Sequence, residues 1–236
     1  SEKPNRSRKF GLFVILIGAL VIGIVQFETN YGDLTWLGNI LFLLGAALWA
    51  IYSVIFRQSG IAPLHGLVIG LFWGSNTGNQ EEAAGFLKDY MISEGCEVEE
   101  HNIADIEPKK LLDYKKVIIG CPTWHIGELQ DDWDFIYEKY KELDFSGVTA
   151  AFFGCGDQVG YADNFLDAIG LLAKPFIDNG GTLIGRWPTE EYDFDNSLAL
   201  EGDEFLGLGL DNDNEEEMTE ERLIVWAELI KDEFGI

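Results

Sequence analysis

Between positions 74 and 80 the chain reads Gly-Ser-Asn-Thr-Gly-Asn-Gln, a stretch whose residue types and spacing suit anion binding. Glycine frees the backbone to aim several N–H groups at one point, Ser75 and Thr77 add hydroxyl donors, and a helix opening at Asn79 brings the positive end of its dipole. Such a loop holds a phosphate without a basic side chain. A nucleotide-triphosphate loop needs four residues between its glycines and then Lys-Ser/Thr, whereas Gly74 and Gly78 enclose three and Asn79-Gln80 follow. The dinucleotide fingerprint fails as well, because the loop contains no Gly-x-Gly. Two readings stay open: a terminal monophosphate held mostly by main chain, and a plain strand-to-helix turn. Two further glycine-containing loops carry polar and aromatic residues, Cys121-Pro-Thr-Trp-His-Ile-Gly-Glu128 and Gly154-Cys-Gly-Asp-Gln-Val-Gly-Tyr161. No Ser/His/Asp or Cys/His constellation accompanies them, and the three histidines make no metal spacing.

The elements around these loops alternate. Val68 to Trp73 is an apolar run of strand length, and after the first loop Ala83, Leu87, Tyr90 and Met91 share one helical face. Glu97 to Asn102 reads as a second strand of alternating polarity that turns His101 to solvent, and a short helical turn follows around Pro108 to Leu112. Lys116 to Gly120 and Val148 to Phe153 are continuous apolar strands of the buried parallel type. Trp133, Ile136, Tyr137 and Tyr140 mark one helix face, and Phe165, Ile169, Leu172 and Phe176 another, stopped by Asn179-Gly180-Gly181. Thr182 to Gly185 begins the last strand, and Thr219 is the expected cap of a final helix whose Leu223, Trp226, Ile230 and Phe234 pack inward. Short links between strands and helices predict an α/β fold with a parallel sheet covered on both faces. The three loops then fall at carboxyl ends of strands, where open sheets of this kind bind ligands.

Charge divides the chain. The formal net charge is −25, yet residues 1–66 hold five Lys/Arg against three Asp/Glu, leaving 11 against 38 for residues 67–236. So acidic a domain repels nucleic acid and anionic lipid and attracts basic protein surfaces. Cys96, Cys121 and Cys155 are too scattered for a disulfide frame, which suits a reducing compartment. In the first part, Phe10 to Phe27 and Leu34 to Phe56 are apolar runs long enough for a two-helix transmembrane hairpin over residues 10–57. Lys3, Arg6, Arg8 and Lys9 before it and Arg57 after it set both ends, and the acidic domain, on the cytoplasmic face. The chain opens on Ser1, the expectation being a processed or truncated start.

Gly38 to Arg57 and Ser59 to His65 resemble a helix and the following loop of the drug/metabolite (EamA-type) transporter family. Two helices cannot form that family's transport path, so the readings for residues 1–66 are a membrane anchor, the remnant of a fusion, or part of a transporter. The resemblance in residues 67–236 is more specific. Ser75-x-Thr-Gly78, Cys121 to Gln130, Gly154 to Phe165 and Trp187-Pro-Thr-Glu-Glu-Tyr-Asp-Phe194 resemble the signatures of flavodoxins, in order and at matching intervals, and Trp187 to Asn212 is similar to the extra loop of the long-chain group. The resemblance implies a three-layer sandwich with a five-stranded sheet in the order 2-1-3-4-5, and noncovalent FMN.

Carried over by position, the resemblance gives the cofactor Ser75, Asn76, Thr77, Gly78, Asn79 and Gln80 around its phosphate. It gives Pro122, Thr123, Trp124, His125, Ile126 and Gly127 from the second loop, and Cys155, Gly156, Asp157, Tyr161 and Asp163 from the third. Trp124 and Tyr161 sandwich the isoalloxazine in that reading, and the peptide after His125 turns toward its N5 position. Three positions depart from the family pattern: Gln80 stands where Thr is usual, His125 where Asn or Gly is, and Cys155 where Thr is. The Gln80 change predicts loss of one hydroxyl to the phosphate, about 1 kcal/mol, and His125 predicts a potential that moves with pH as an imidazole titrates. The implied function is a low-potential one-electron carrier, monomeric, serving redox proteins such as ferredoxin-NADP reductase and photosystem I in the cytoplasm or, in an alga, the plastid stroma. The alternatives are an FMN-dependent NAD(P)H quinone reductase and a non-functional fusion remnant.

Overall fold

The computed structural model describes residues 68–236. The expected transmembrane hairpin and the transporter-like segment lie outside the described residues; among the described ones, no helix is long and apolar enough to cross a membrane. In chain order the elements are β1 (Ile69–Trp73), α1 (Asn79–Ser93), β2 (Val98–Asn102), β3 (Lys116–Gly120), a short hairpin of β4 (Thr123–Trp124) and β5 (Glu128–Leu129), α2 (Asp131–Lys141), β6 (Thr149–Cys155), α3 (Asp167–Asp178), β7 (Thr182–Ile184), β8 (Trp187–Pro188), β9 (Leu200–Glu201), β10 (Glu204–Phe205), β11 (Leu208–Leu210) and α4 (Thr219–Phe234).

β2, β1, β3 and β6 pair in parallel in that order, and the edge beyond β6 is shared by β7 and β11. β7 pairs with Thr149 to Ala151 and β11 with Phe153 to Cys155. The order 2-1-3-4-5 therefore holds with its fifth position split in two, whereas the sequence suggested a single strand beginning at Thr182. The split follows from the chain leaving the edge after Ile184 and returning at Leu208, with β8, β10 and β9 forming a small antiparallel sheet on the way.

Strand residues alternate between two cores, as a sheet buried on both faces demands. Ile69, Leu71, Trp73, Ile118 and Phe153 pack against Leu87 of α1 and Leu223, Trp226 and Ile230 of α4. Phe72, Val117, Ile119 and Phe152 pack against Trp133 and Tyr140 of α2 and Leu172 and Phe176 of α3. The polar tips of the two α2 aromatics are satisfied: Trp133 Nε1 donates to Gly120 O at 3.0 Å and Tyr140 Oη to Leu172 O at 2.9 Å.

Three local expectations change. Phe165 is buried but precedes α3, because Leu166 takes a left-handed conformation (φ 60°) and the helix starts only at Asp167. Thr219 does not cap α4: a 3-10 turn over Glu216–Met218 runs straight into the helix, so Thr219 is already helical. His101 does not face solvent; its ring stacks on Phe72, centroids 4.9 Å apart, with Nε2 2.7 Å from Tyr114 Oη.

Candidate functional site

The first loop joins β1 to α1 and is shaped by two glycines. A Cβ on Gly74 would lie 2.2 Å from Gln130 Oε1, so only glycine lets β1 and α2 approach there. Gly78 caps α1 at φ 103°, where a side chain is strained, and its N–H donates to Ser75 Oγ at 3.0 Å. The N–H groups of the first helical turn, from Asn79 onward, have no acceptor within the helix and are available to an anion. Asn76 is committed elsewhere: its Nδ2 donates to Asp131 Oδ2 and its Oδ1 accepts from Gln130 Nε2, which ties the loop to the start of α2. Gln80 turns inward, 1% exposed, and its Oε1 accepts from Cys155 N at 3.0 Å. Its Nε2 is buried without a partner. The side chain that stands in the usual hydroxyl position is thus a strut between α1 and the end of β6.

The second loop folds into the β4–β5 hairpin, in register Thr123 opposite Leu129 and Trp124 opposite Glu128. Its turn holds His125 at φ 46° and Gly127 at φ 80°. Thr123 Oγ1 accepts from Ala168 N at 3.2 Å, which seats the hairpin on the start of α3. Ile126 projects from the turn, 77% exposed.

In the third loop Asp157 organises its own backbone, accepting from Val159 N, Gly160 N and Asn214 Nδ2. Burial favours its neutral form, but the hydrogen bonds from Gly160, Asn214 and Val159 outweigh that and hold the carboxyl below the usual range. Burial pushes the Cys155 thiol up to about 12, helped by the charges of Asp213 and Asp211, and burial drives Cys121 up to about 12 against a backbone hydrogen bond from Gln130. Both thiols are protonated at neutral pH and face opposite sides of the sheet, so they offer neither nucleophile nor disulfide.

The loops meet around a cavity of about 430 Å³ lined by Thr77, Asn79, Gln80, Pro122, Thr123, Trp124, His125, Cys155, Gly156, Asp157 and Tyr161. Trp124 and Tyr161 thus share one cavity, reached from the ends of β3 and β6. Ser75, Asn76, Gly78, Ile126, Gly127 and Asp163 do not line it. Asn164, Asn212 and Asp213, which sequence reasoning did not single out, do. The last two follow β11 directly, and only the pairing of that short strand shows them to be at the carboxyl edge.

A family model described as Flavodoxin matches residues 71–226. The chain belongs to the flavodoxin family. It is 45% identical over 168 residues to a flavodoxin of a Nostoc species, an alignment covering 71% of this chain and 98% of that one. It is 39% identical over 170 residues to flavodoxin 1 of Escherichia coli, covering 72% and 96%. Among solved structures, a mutant flavodoxin of Fusobacterium nucleatum bound to flavin mononucleotide superposes with a TM-score of 0.67 at 25% identity, covering 71% of this chain and 96% of that one. Family membership makes the chain an electron-transfer flavoprotein and displaces the quinone-reductase reading.

Proposed function

We propose that residues 67–236 form a domain that holds one noncovalent FMN in this cavity and carries electrons singly between redox proteins. The observation that carries the assignment is the meeting of two aromatic side chains, Trp124 and Tyr161, with the amide-rich start of α1 around one cavity. A fit is further supported by the glycine at φ 103° that leaves open space at the phosphate loop. Bound FMN supplies the one-electron chemistry; the chain's own residues bind, orient and shield. Backbone N–H groups at the start of α1, with Thr77 and Asn79, take the phosphate, and its charge is favoured by the helix dipole without a basic side chain. Trp124 and Tyr161 orient the flat ring and exclude water from its faces, each contributing about 0.5–1.5 kcal/mol beyond buried area. Tyr161 is 50% exposed, so that wall stays open to a partner.

On this reading the partners are proteins with basic docking faces, of the ferredoxin-NADP reductase and photosystem I kind. The domain acts as a monomer. Residues 10–57 hold it at the cytoplasmic face of a membrane, a reading supported by their two apolar runs and flanking basic residues. The test starts from the intact chain, expressed and fractionated, with flavin absorbance followed into the membrane pellet. The apoprotein is then titrated with FMN by quenching of flavin fluorescence. Tight binding is expected, weakened about tenfold in Trp124→Ala, the equivalent of one stacking contact. A wild-type chain that stays colourless and takes up no FMN at micromolar concentration sinks the assignment, and flavin confined to the soluble fraction sinks the anchor.

A further inference from the structure

The third loop is held by a buried carboxylate at the end of β11. Pairing of β6 with β11 ends at Cys155 and Leu210, and one more main-chain bond follows, from Gly156 N to Leu210 O at 2.9 Å. Beyond that point the Asp211 side chain continues the connection, its Oδ2 accepting from Gln158 N at 3.0 Å. Its Oδ1 accepts from Asp213 N at 3.2 Å and from Asn214 N at 3.1 Å. The Asn214 side-chain amide donates to both oxygens and also to Asp157 Oδ1. Asp211 is 0% exposed, and these hydrogen-bond partners are all neutral amides. A carboxylate buried so deeply is tolerated only with its lone pairs filled, which fixes it in one place. Gln158 is buried as well, and its Oε1 accepts from Asp193 N at 2.7 Å.

The turn from Asp157 to Tyr161 is stiff in itself. The Asp157 carboxylate accepts from Val159 N and Gly160 N, and Tyr161 N donates to Asp157 O at 3.1 Å. A stiff turn moves as one piece, so the bond at Gln158 N helps set where Tyr161 stands. Asp157 and Tyr161 line the cavity, whereas Asp211 and Gln158 do not. We infer that Asp211 is a positioning residue, which holds the third loop through Gln158 N so that Tyr161 meets the cofactor. The inference rests on the FMN reading. Charge and position pull affinity in opposite directions. FMN is an anion, so a carboxylate near its cavity repels it, and the charge of Asp211 is already felt by the Cys155 thiol in the cavity wall. Neutralising that charge alone tightens FMN binding; releasing the third loop weakens it.

Asp211→Asn in the intact chain separates the two effects. Oδ1 receives three of the donors and Oδ2 two. The substituted amide therefore keeps its oxygen at the Oδ1 position and turns its NH2 toward Gln158 N, where donor faces donor. Bonds within residues 211–214 persist and the link to the third loop is lost. Titration of the apoprotein, read by quenching of flavin fluorescence, is expected to show FMN binding about tenfold weaker, the scale of one hydrogen bond to a charged group. That loss should vanish in a Tyr161→Ala background, because both substitutions act through one contact. The Gln158 amide should exchange faster with solvent while those of Asp213 and Asn214 hold. Tighter FMN binding would mean that Asp211 acts by charge alone, and an equal loss with and without Tyr161 would mean general support of the fold. Either result overturns the inference. Should Asp211→Asn not fold, amide exchange in the wild-type chain decides: FMN is expected to slow Gln158 together with Tyr161, and a Gln158 amide indifferent to FMN overturns the inference. Failure of the wild-type chain to take up FMN is a separate outcome that removes the cofactor reading itself.

Discussion

At the scale of single residues, His101 shows how a local pattern is overruled by a distant neighbour. Tyr114 Oη donates to Glu99 Oε2 and is left to accept from His101 Nε2, so the imidazole carries a proton on Nε2. Burial lowers the histidine pKa, with the charge of Lys110 adding to it and Glu99, Glu100 and Asp113 opposing it. A base whose folded pKa is depressed binds fewer protons when folded than when unfolded. Its contribution is complete above the unfolded value of about 6.5 and is lost as pH falls below that toward the folded value. Thermal unfolding between pH 7.5 and pH 5 is expected to show this loss, and His101→Gln, which keeps a donor for Tyr114, to flatten it by a degree or two of Tm. An identical pH profile in the variant would show that the histidine binds protons equally in both states and contributes nothing to the slope. The alternation of Glu97 to Asn102 put His101 outside because the partner ring, Tyr114, reaches it from beyond the following helical turn.

At the scale of elements, the sequence was most legible where burial is complete. Val117 to Ile119 and Ala150 to Phe153 are apolar on both faces, which only a central parallel strand tolerates, and the structure places them at the middle of the sheet. The split edge was not legible, because Leu208-Gly-Leu210 has no strand pattern of its own and becomes one by pairing with Phe153 to Cys155. The start of α4 is the clearest difference. A Thr followed by two Glu has the composition of a capped start, yet the preceding 3-10 turn continues into the helix and leaves Thr219 Oγ1 buried without a partner. A true cap replaced by an apolar residue costs about 1 kcal/mol; a buried hydroxyl with no partner costs nothing to remove and relieves its desolvation. Thr219→Val is therefore expected to hold or raise the Tm by up to a few degrees. A fall of that size in a thermal melt would restore Thr219 to the capping role.

At the scale of the whole molecule, the sequence establishes how much charge there is, and the fold decides where it acts. Residues 67–236 carry 38 acidic against 11 basic residues. Asp157 and Asp213 arrive at the cavity from different strand ends, and Asp131 joins them through its bond to Asn76 in the first loop. Apolar side chains stand out of this acidic surround, Ile126 in the second loop, Val159 and Tyr161 in the third, and Phe135, 85% exposed, on the outer face of α2. On the proposed reading a basic partner is drawn in by the field and then meets these exposed apolar side chains, so encounter and docking use different forces. Only the first is screened by salt, whose Debye length shrinks from about 30 Å at 0.01 M to about 10 Å at 0.1 M. The second-order rate of electron transfer from the FMN-loaded chain to cytochrome c, a basic haem protein, should fall by roughly tenfold over that range. Phe135→Ala should lower the rate at every salt concentration while leaving the slope unchanged, since it removes contact area and no charge. A rate that is flat in ionic strength would mean that the acidic domain serves solubility alone, and partner choice would then have to lie in the apolar tips.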